Sequence, residues 1–270
     1  VNAQFSGSSG AAERPYIITI TSGKGGVGKS NIACNLALKM KDEGAAVLLV
    51  DGDENLGTLD LLLNAEPTYR LADVVRGDCT IDEALCPVEE KVQLLAGNSG
   101  DLAYPQLSYE SQRHLLRALV STQVPFDVIV IDTAAGISDT TIEFARVSDL
   151  TVVVSHSEPT ALLDAYALIK LLHHACPAGE IKILMNAIRR PIDGDEAVSK
   201  LQTAIRHFLK IDLPYLGMIP YDRRVSEAIT RQEPLVRCFP SSAASLSLGL
   251  LARTLVASMR RLVSPEVRMV

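Results

Sequence analysis

Short apolar runs bounded by turn residues recur along this chain, and stretches of helical period lie between them. Ile17 to Thr21, Ala45 to Val50, Val92 to Leu95, Asp127 to Asp132, Thr151 to Ser155, Ile181 to Met185 and Leu216 to Ile219 read as buried strands. Ile32, Ala33, Leu36, Ala37 and Met40 recur at helical spacing after the first strand, and Leu115, Leu116 and Leu119 do so within 108–121. Further helices are predicted over 161–174, opened by Glu158-Pro159-Thr160, and over 197–209, 226–231 and 241–263, with short pieces at 59–63 and 72–75. A turn is predicted at Asn98-Ser99-Gly100. Strands alternating with helices through short links predict parallel crossovers. The fold class is therefore α/β: a doubly wound, mostly parallel sheet with helices on both faces. One domain is predicted over 15–264, with a small, polar, flexible arm before it (1–14) and a tail after it (265–270).

In such a sheet, ligands belong at the C-terminal edge of the strands. The first strand runs into Gly23-Lys24-Gly25-Gly26-Val27-Gly28-Lys29-Ser30-Asn31, which fits G-x-x-x-x-G-K-[ST] and opens the first helix. Glycines let successive N–H groups turn inward, and the helix start offers its free N–H groups and positive dipole end to the same anion. Lys29 then reaches the β- and γ-phosphates, and the Ser30 hydroxyl ligates Mg²⁺. The plain alternative, a glycine-rich turn and nothing more, does not account for strand, loop and helix in this order. Lys24 is a second cation inside the loop; one alternative is a solvated lysine, the other a highly charged ligand beside it.

Acids follow at two other strand ends. Asp51-Gly52-Asp53 closes the second strand. Asp53 is a candidate for orienting an attacking water; Asp51 either holds Mg²⁺ through water or positions the loop. The alternative is a turn with both acids in solvent. Asp132 ends the strand 127–132 ahead of Thr133-Ala134-Ala135-Gly136, where a carboxylate suits metal-bound water; a helix cap is the other reading. Asn186, at the end of the strand 181–185, is the adenine candidate, because an amide both donates to and accepts from a purine edge. His173 and His174 are adjacent and do not share a helix face, so they read as an exposed helix end and not a metal site.

Composition narrows the function. A net charge of −6 argues against a general nucleic-acid binder, and Arg189-Arg190 and Arg260-Arg261 are too little to make a basic surface. With aromatics at 4%, the core must be aliphatic. No apolar run is long enough to span a bilayer and no signal peptide is visible, so a cytosolic setting is expected. The five cysteines form no C-x-x-C, which reads as reduced packing thiols and argues against an iron–sulfur carrier.

KGGVGKS resembles the deviant phosphate loop of the MinD/ParA-type ATPases. The stretches LADVVRG, IDTAAGISD, SEPTALLDAYALIK, LGMIPYD and VSEAITRQEP resemble the flagellar-number regulators within that family, and the resemblance covers most of 15–260. It implies a slow Mg²⁺-dependent ATPase in which ATP binding and homodimerisation are one event, with Lys24 reaching the facing subunit's nucleotide. It also implies that Asp51 and Asp53 form the D-x-D switch, that Asp164 pairs with Lys24, and that Pro220-Tyr221-Asp222 lines the base pocket. The family's continuation is close to Gly-Leu-x-Asn-Leu-Asp; here Asn55 and Thr58 depart from it. The partners implied are a flagellar signal-recognition-type GTPase or a flagellar transcription activator. The activating Asp-Gln-Ala motif of flagellar relatives is not carried over, because Asn2-Ala3-Gln4 does not match it. Close relatives attach to the inner membrane through an amphipathic tail. Met259-Arg260-Arg261-Leu262-Val263 is a weak version cut short by Pro265, so a core-packing helix is the reading preferred over a peripheral anchor. Two other functions share the fold and loop: an ATP-dependent metabolic ligase, which needs a second substrate pocket, and a DNA-segregation ATPase, which needs a basic surface.

Overall fold

A computed structural model describes residues 14–53, 57–98, 109–176 and 179–263. The arm before Arg14, switch residues Glu54, Asn55 and Leu56, positions 99 and 100 of the predicted turn, and the tail lie outside the described residues. Arg14 itself is tied to Asp149 at 2.6 Å.

Among the described residues, eight strands make one sheet, in the order β3-β4-β2-β5-β1-β6-β7-β8. They are β1 (Tyr16–Thr21), β2 (Val47–Gly52), β3 (Leu85–Glu89), β4 (Val92–Leu95), β5 (Val128–Thr133), β6 (Leu150–Ser155), β7 (Glu180–Ile188) and β8 (Tyr215–Pro220). Every neighbouring pair is parallel except β3 with β4. Central strands of such a sheet are covered on both faces, which is why they read as unbroken apolar runs. Side chains alternate between the two layers. Ile18 and Ile20 of β1 join the core under α1 (Lys29–Asp42) and α11 (Ala243–Val263), while Ile17 joins the opposite one. That opposite layer holds α3 (Leu71–Arg76), α4 (Ile81–Ala84), α5 (Tyr109–Val120) and α6 (Asp139–Val147) over one half, and α7 (Pro159–Ala175) and α8 (Pro191–Leu209) over the other. The short α2 (Leu59–Leu63), α9 (Arg223–Arg231) and α10 (Leu235–Cys238) complete the first layer.

Several elements depart from the pattern-based reading: the short helices α4 and α10, which are too brief to show a period, and three larger ones. The helix α6 was not anticipated: its Thr140-Thr141 pair is a weak helix former, but Ser138 caps it by accepting from the Thr141 N–H at 3.1 Å. The antiparallel edge strand β3 was also missed. It carries Pro87, which an edge tolerates, and it turns into β4 through Glu90-Lys91, with Lys91 at φ 64°. Finally, α8 starts at Pro191, well before 197. Gly194 conceals the true start; a Cβ there would stand 3.1 and 3.2 Å from the Ile188 and Met218 side chains, a tight fit that a glycine avoids.

The last helix packs as core. Leu248, Leu251, Leu255 and Met259 are buried, and the Arg260 guanidinium donates to the Glu43 carbonyl at 3.0 Å. No helix among the described residues is long and apolar enough to cross a membrane.

Candidate functional site

The phosphate loop spans the end of β1 and the start of α1. Gly28 at φ 91° forms the N-cap of α1, and Gly26 has φ 75°, both in the region that disfavours a side chain. Gly23 is glycine for another reason: a Cβ would stand 2.2 Å from the Asp164 carbonyl oxygen of α7. Gly25 packs beside Ala135. The loop is held from below by Gly136 N–H donating to the Ser22 carbonyl at 2.8 Å, and by the Ser22 hydroxyl donating to the Lys24 carbonyl at 2.8 Å. The helix has no acid in its first turn and no side chain capping it, so its first N–H groups face the loop's interior without a built-in anion.

Behind the loop lies a buried charge cluster. Lys29 is buried; desolvation lowers its ammonium from the ordinary lysine value, while Asp132 and Asp53 pull it back up. Asp51 and Asp132 are register partners on neighbouring strands β2 and β5. Burial pushes Asp132 up to about 8, with Asp51 adding to the rise and the Ser30 hydroxyl bond and Lys29 opposing it. Among the described residues, Oδ1 of Asp132 has no hydrogen-bond partner although it is fully buried. A buried carboxylate oxygen without a partner, beside a serine hydroxyl and a lysine, is a site short of one cation. Hydrated Mg²⁺ fits that shortfall, since it keeps several waters and takes one or two protein oxygens.

Asp51 is already occupied. Its Oδ2 accepts from the Thr58 and Leu59 N–H groups at 2.8 and 3.0 Å, and its Oδ1 from the Asp53 N–H at 3.3 Å. A Cβ on Gly57 or Gly97 would fall 2.8 or 2.7 Å from this carboxylate group. Burial raises it to about 6. The geometry matches the loop-positioning alternative: Asp51 ties the start of α2 to the end of β2. Thr58, one of the two departures from the family pattern, contributes here through its backbone N–H, and its side chain makes no cap bond to α2. Asp53 stands half-buried at the mouth, within the field of Lys29.

Lys24 requires a correction. Its ammonium meets Glu158 at 3.1 Å and the Thr160 hydroxyl at 3.2 Å, where Asp164 was expected. Glu158 is the N-cap residue of α7, whereas Asp164 lies more than a turn further on and meets the loop through its backbone carbonyl.

A cleft of about 240 Å³ opens beside the loop, lined in part by Val27, Asn31, Asn186 and Pro220, together with Tyr221 and Asp222. Asn186 is built into it: its amide donates to the Val27 carbonyl at 2.7 Å, and Ala187 after it takes φ 55°. Sequence reasoning missed His156 on the cleft wall and the apolar floor of Ile32, Leu235 and Leu248. The strand end before His156 was the available signal. All five cysteines are free, and among the described residues no group of three or more His, Cys, Asp and Glu side chains converges as a metal cage, so a cation at Asp132 would rely on water and phosphate oxygens for its other ligands.

A glycine loop under a helix start, a lysine and serine facing a buried strand-end acid, and a cleft of base size beside them define a P-loop nucleotide-binding protein. Residues 18–235 match the family model of the CobQ/CobB/MinD/ParA nucleotide binding domain, and the chain belongs to that family, the ATPases of the MinD/ParA type. It is 37% identical to the antiactivator FleN of Pseudomonas aeruginosa over 90% of this chain and 87% of that protein. It is 32% identical to the flagellum site-determining protein YlxH of Helicobacter pylori over 90% of this chain and 82% of that one. Among solved structures, it is similar to MinD of Pyrococcus horikoshii complexed with Mg-ADP, with a TM-score of 0.73 and 26% identity over 89% of this chain and 96% of that chain. The cofactors are accordingly ATP and Mg²⁺.

Proposed function

We propose that this protein is an ATP-dependent dimerisation switch that regulates the placement or number of flagella. One observation carries the switch reading. Lys24 lies at the surface, 40% exposed, held among the described residues by Glu158 and Thr160 and not sealed inside its own loop. An ammonium so placed is available to a phosphate presented by a second subunit. The flagellar output is supported by the likeness to FleN and YlxH.

The residues divide the work. The backbone of Gly23 to Gly28 cradles the phosphates, and Lys29 neutralises charge on the β- and γ-groups. Asn31, Asn186 and Pro220 seat the base. Ser30 and Asp132 would hold Mg²⁺, which would supply positive charge to offset the charge developing on the phosphates. Asp53 orients water in line with the γ-phosphate, and Asp51 keeps the Asp53 loop in place. Loss of the γ-phosphate frees the Asp53 and Gly136 loops, and the dimer opens. The output is an altered protein surface, read by a partner. Because FleN is an antiactivator, a flagellar transcription activator is the first partner to test, with a flagellar signal-recognition-type GTPase second. The setting proposed is the cytosol.

The test is light scattering of purified protein with ATP and Mg²⁺, and no other small substrate. Asp53→Ala is expected to give a long-lived dimer and Lys29→Ala a monomer that binds no nucleotide. A monomeric Asp53→Ala protein under saturating ATP contradicts the switch.

A further inference from the structure

We infer that Arg70 is a positioning residue for ATP hydrolysis: it clamps the far end of the Asp53 loop to the edge of the sheet. The inference rests on the reading of Asp53 as the residue that orients water.

The loop leaves β2 at Gly52, and the described chain resumes at Gly57, two residues before α2. Two walls meet there. One is the start of α2, with Gly57 to Asp60. The other is the segment after β4, with Ala96 to Asn98. A backbone bond stitches them, the Gly57 N–H donating to the Asn98 carbonyl at 2.8 Å, and the start of α3 is tied to the second wall by the Leu71 N–H donating to the Ala96 carbonyl at 2.8 Å. Arg70 spans both walls with its side chain. One guanidinium nitrogen donates to the Asp60 carboxylate at 2.7 Å and another to the Gly97 carbonyl at 2.9 Å. Neither member of the ion pair is well exposed, with side chains 26% and 12% accessible, so water competes weakly for it. The arginine's own backbone is fixed as well, because its N–H donates to the Asp73 carboxylate at 2.7 Å.

The clamp bears on the chemistry through Asp51. That carboxylate is wedged between Gly57 and Gly97 so closely that neither tolerates a Cβ, and it accepts the Asp53 N–H. Any separation of the two walls therefore changes the seat of Asp51, and with it the start of the Asp53 loop. Phosphate binding is spared, since the glycine loop is built from β1, α1 and α7. A planar guanidinium with two donors in fixed directions suits this task; a lysine reaches one acceptor at a time.

The experiment measures kcat, the affinity for a fluorescent ATP analogue and the melting temperature for Arg70→Gln, Arg70→Lys, Asp60→Asn, the double variant Arg70→Gln/Asp60→Asn and Asp53→Ala. Arg70→Gln is expected to lower kcat about tenfold, because small misplacements of catalytic groups are costly, with affinity unchanged within about twofold. Arg70→Lys should recover part of the loss, and the double variant should be no worse than Arg70→Gln alone, as for residues acting as one unit. Parent-level kcat in a folded Arg70→Gln protein overturns the inference, as does a loss of affinity in step with kcat. If Arg70→Gln does not fold, parent-level kcat in Arg70→Lys and Asp60→Asn overturns it equally. Parent-level turnover in Asp53→Ala overturns the reading of Asp53 and the inference with it, whereas a dead Asp53→Ala beside active Arg70 variants overturns the inference alone.

Discussion

The Lys24 ammonium stands 3.1 Å from a carboxylate oxygen of Glu158, across the lip of the phosphate loop, in a pair that is exposed on both sides. An exposed pair adds little to stability, so Glu158→Gln is expected to leave the melting temperature unchanged. In the proposed dimer, Lys24 would leave Glu158 for a facing phosphate. The same variant should therefore dimerise at a modestly lower ATP concentration, while Lys24→Ala stays monomeric yet still binds ATP. Light scattering across an ATP titration reads both; Lys24→Ala dimers at the parent's ATP concentration would contradict this role.

The facing acids predict a pH effect. Burial pushes Asp132 up to about 8 and Asp51 up to about 6. Unfolded, both titrate near roughly 3.9. Between those values the folded chain binds more protons than the unfolded one. Stability from these groups is therefore full in acid, below the unfolded pKa, and is lost as pH rises through the folded values. Asp132→Asn removes the larger cost. It should raise the melting temperature of nucleotide-free protein by a margin that widens from about pH 5 to about pH 9, and abolish Mg²⁺-dependent turnover. A margin independent of pH would show that Asp132 is not the group responsible.

Asn186 supports the cleft by donating its amide to the Val27 carbonyl at 2.7 Å. Asn186→Ala removes that bond and a candidate base contact. A loss of about 1–2 kcal/mol in ATP binding is expected, or roughly ten-fold in Kd, measurable by calorimetry. Unchanged affinity would remove Asn186 from the site.

Gly23 is packed against the backbone of Asp164 and Ala165, which cannot rotate aside as a side-chain end does. Gly23→Ala drives a methyl into the Asp164 carbonyl at 2.2 Å, so loop and α7 must part. The expected cost is about 1–3 kcal/mol in stability, with loss of nucleotide binding. A crystal structure or melting curve indistinguishable from the parent would contradict this packing.

How much of this was legible beforehand follows from range. The β1–loop–α1 unit is local: β-branched residues make the strand, glycines permit the turn, and apolar spacing marks the helix. The strand-end acids were legible for the same reason, as breaks in apolar runs. Weakly patterned elements were not. The helix α6 depends on a cap and on packing by Phe144, and β3 depends on β4 beside it.

The chain's local order thus determined the fold class, the phosphate loop and the acids at Asp51, Asp53 and Asp132, because each is written in a few consecutive residues. Only the tertiary structure decided which groups meet: Glu158 and not Asp164 at Lys24, the Thr58 and Leu59 N–H groups at Asp51, and Arg70 bridging Asp60 to Gly97. Those contacts join residues up to 134 positions apart, and their choice among several acids or carbonyls depends on where strands and helix starts place side chains in space.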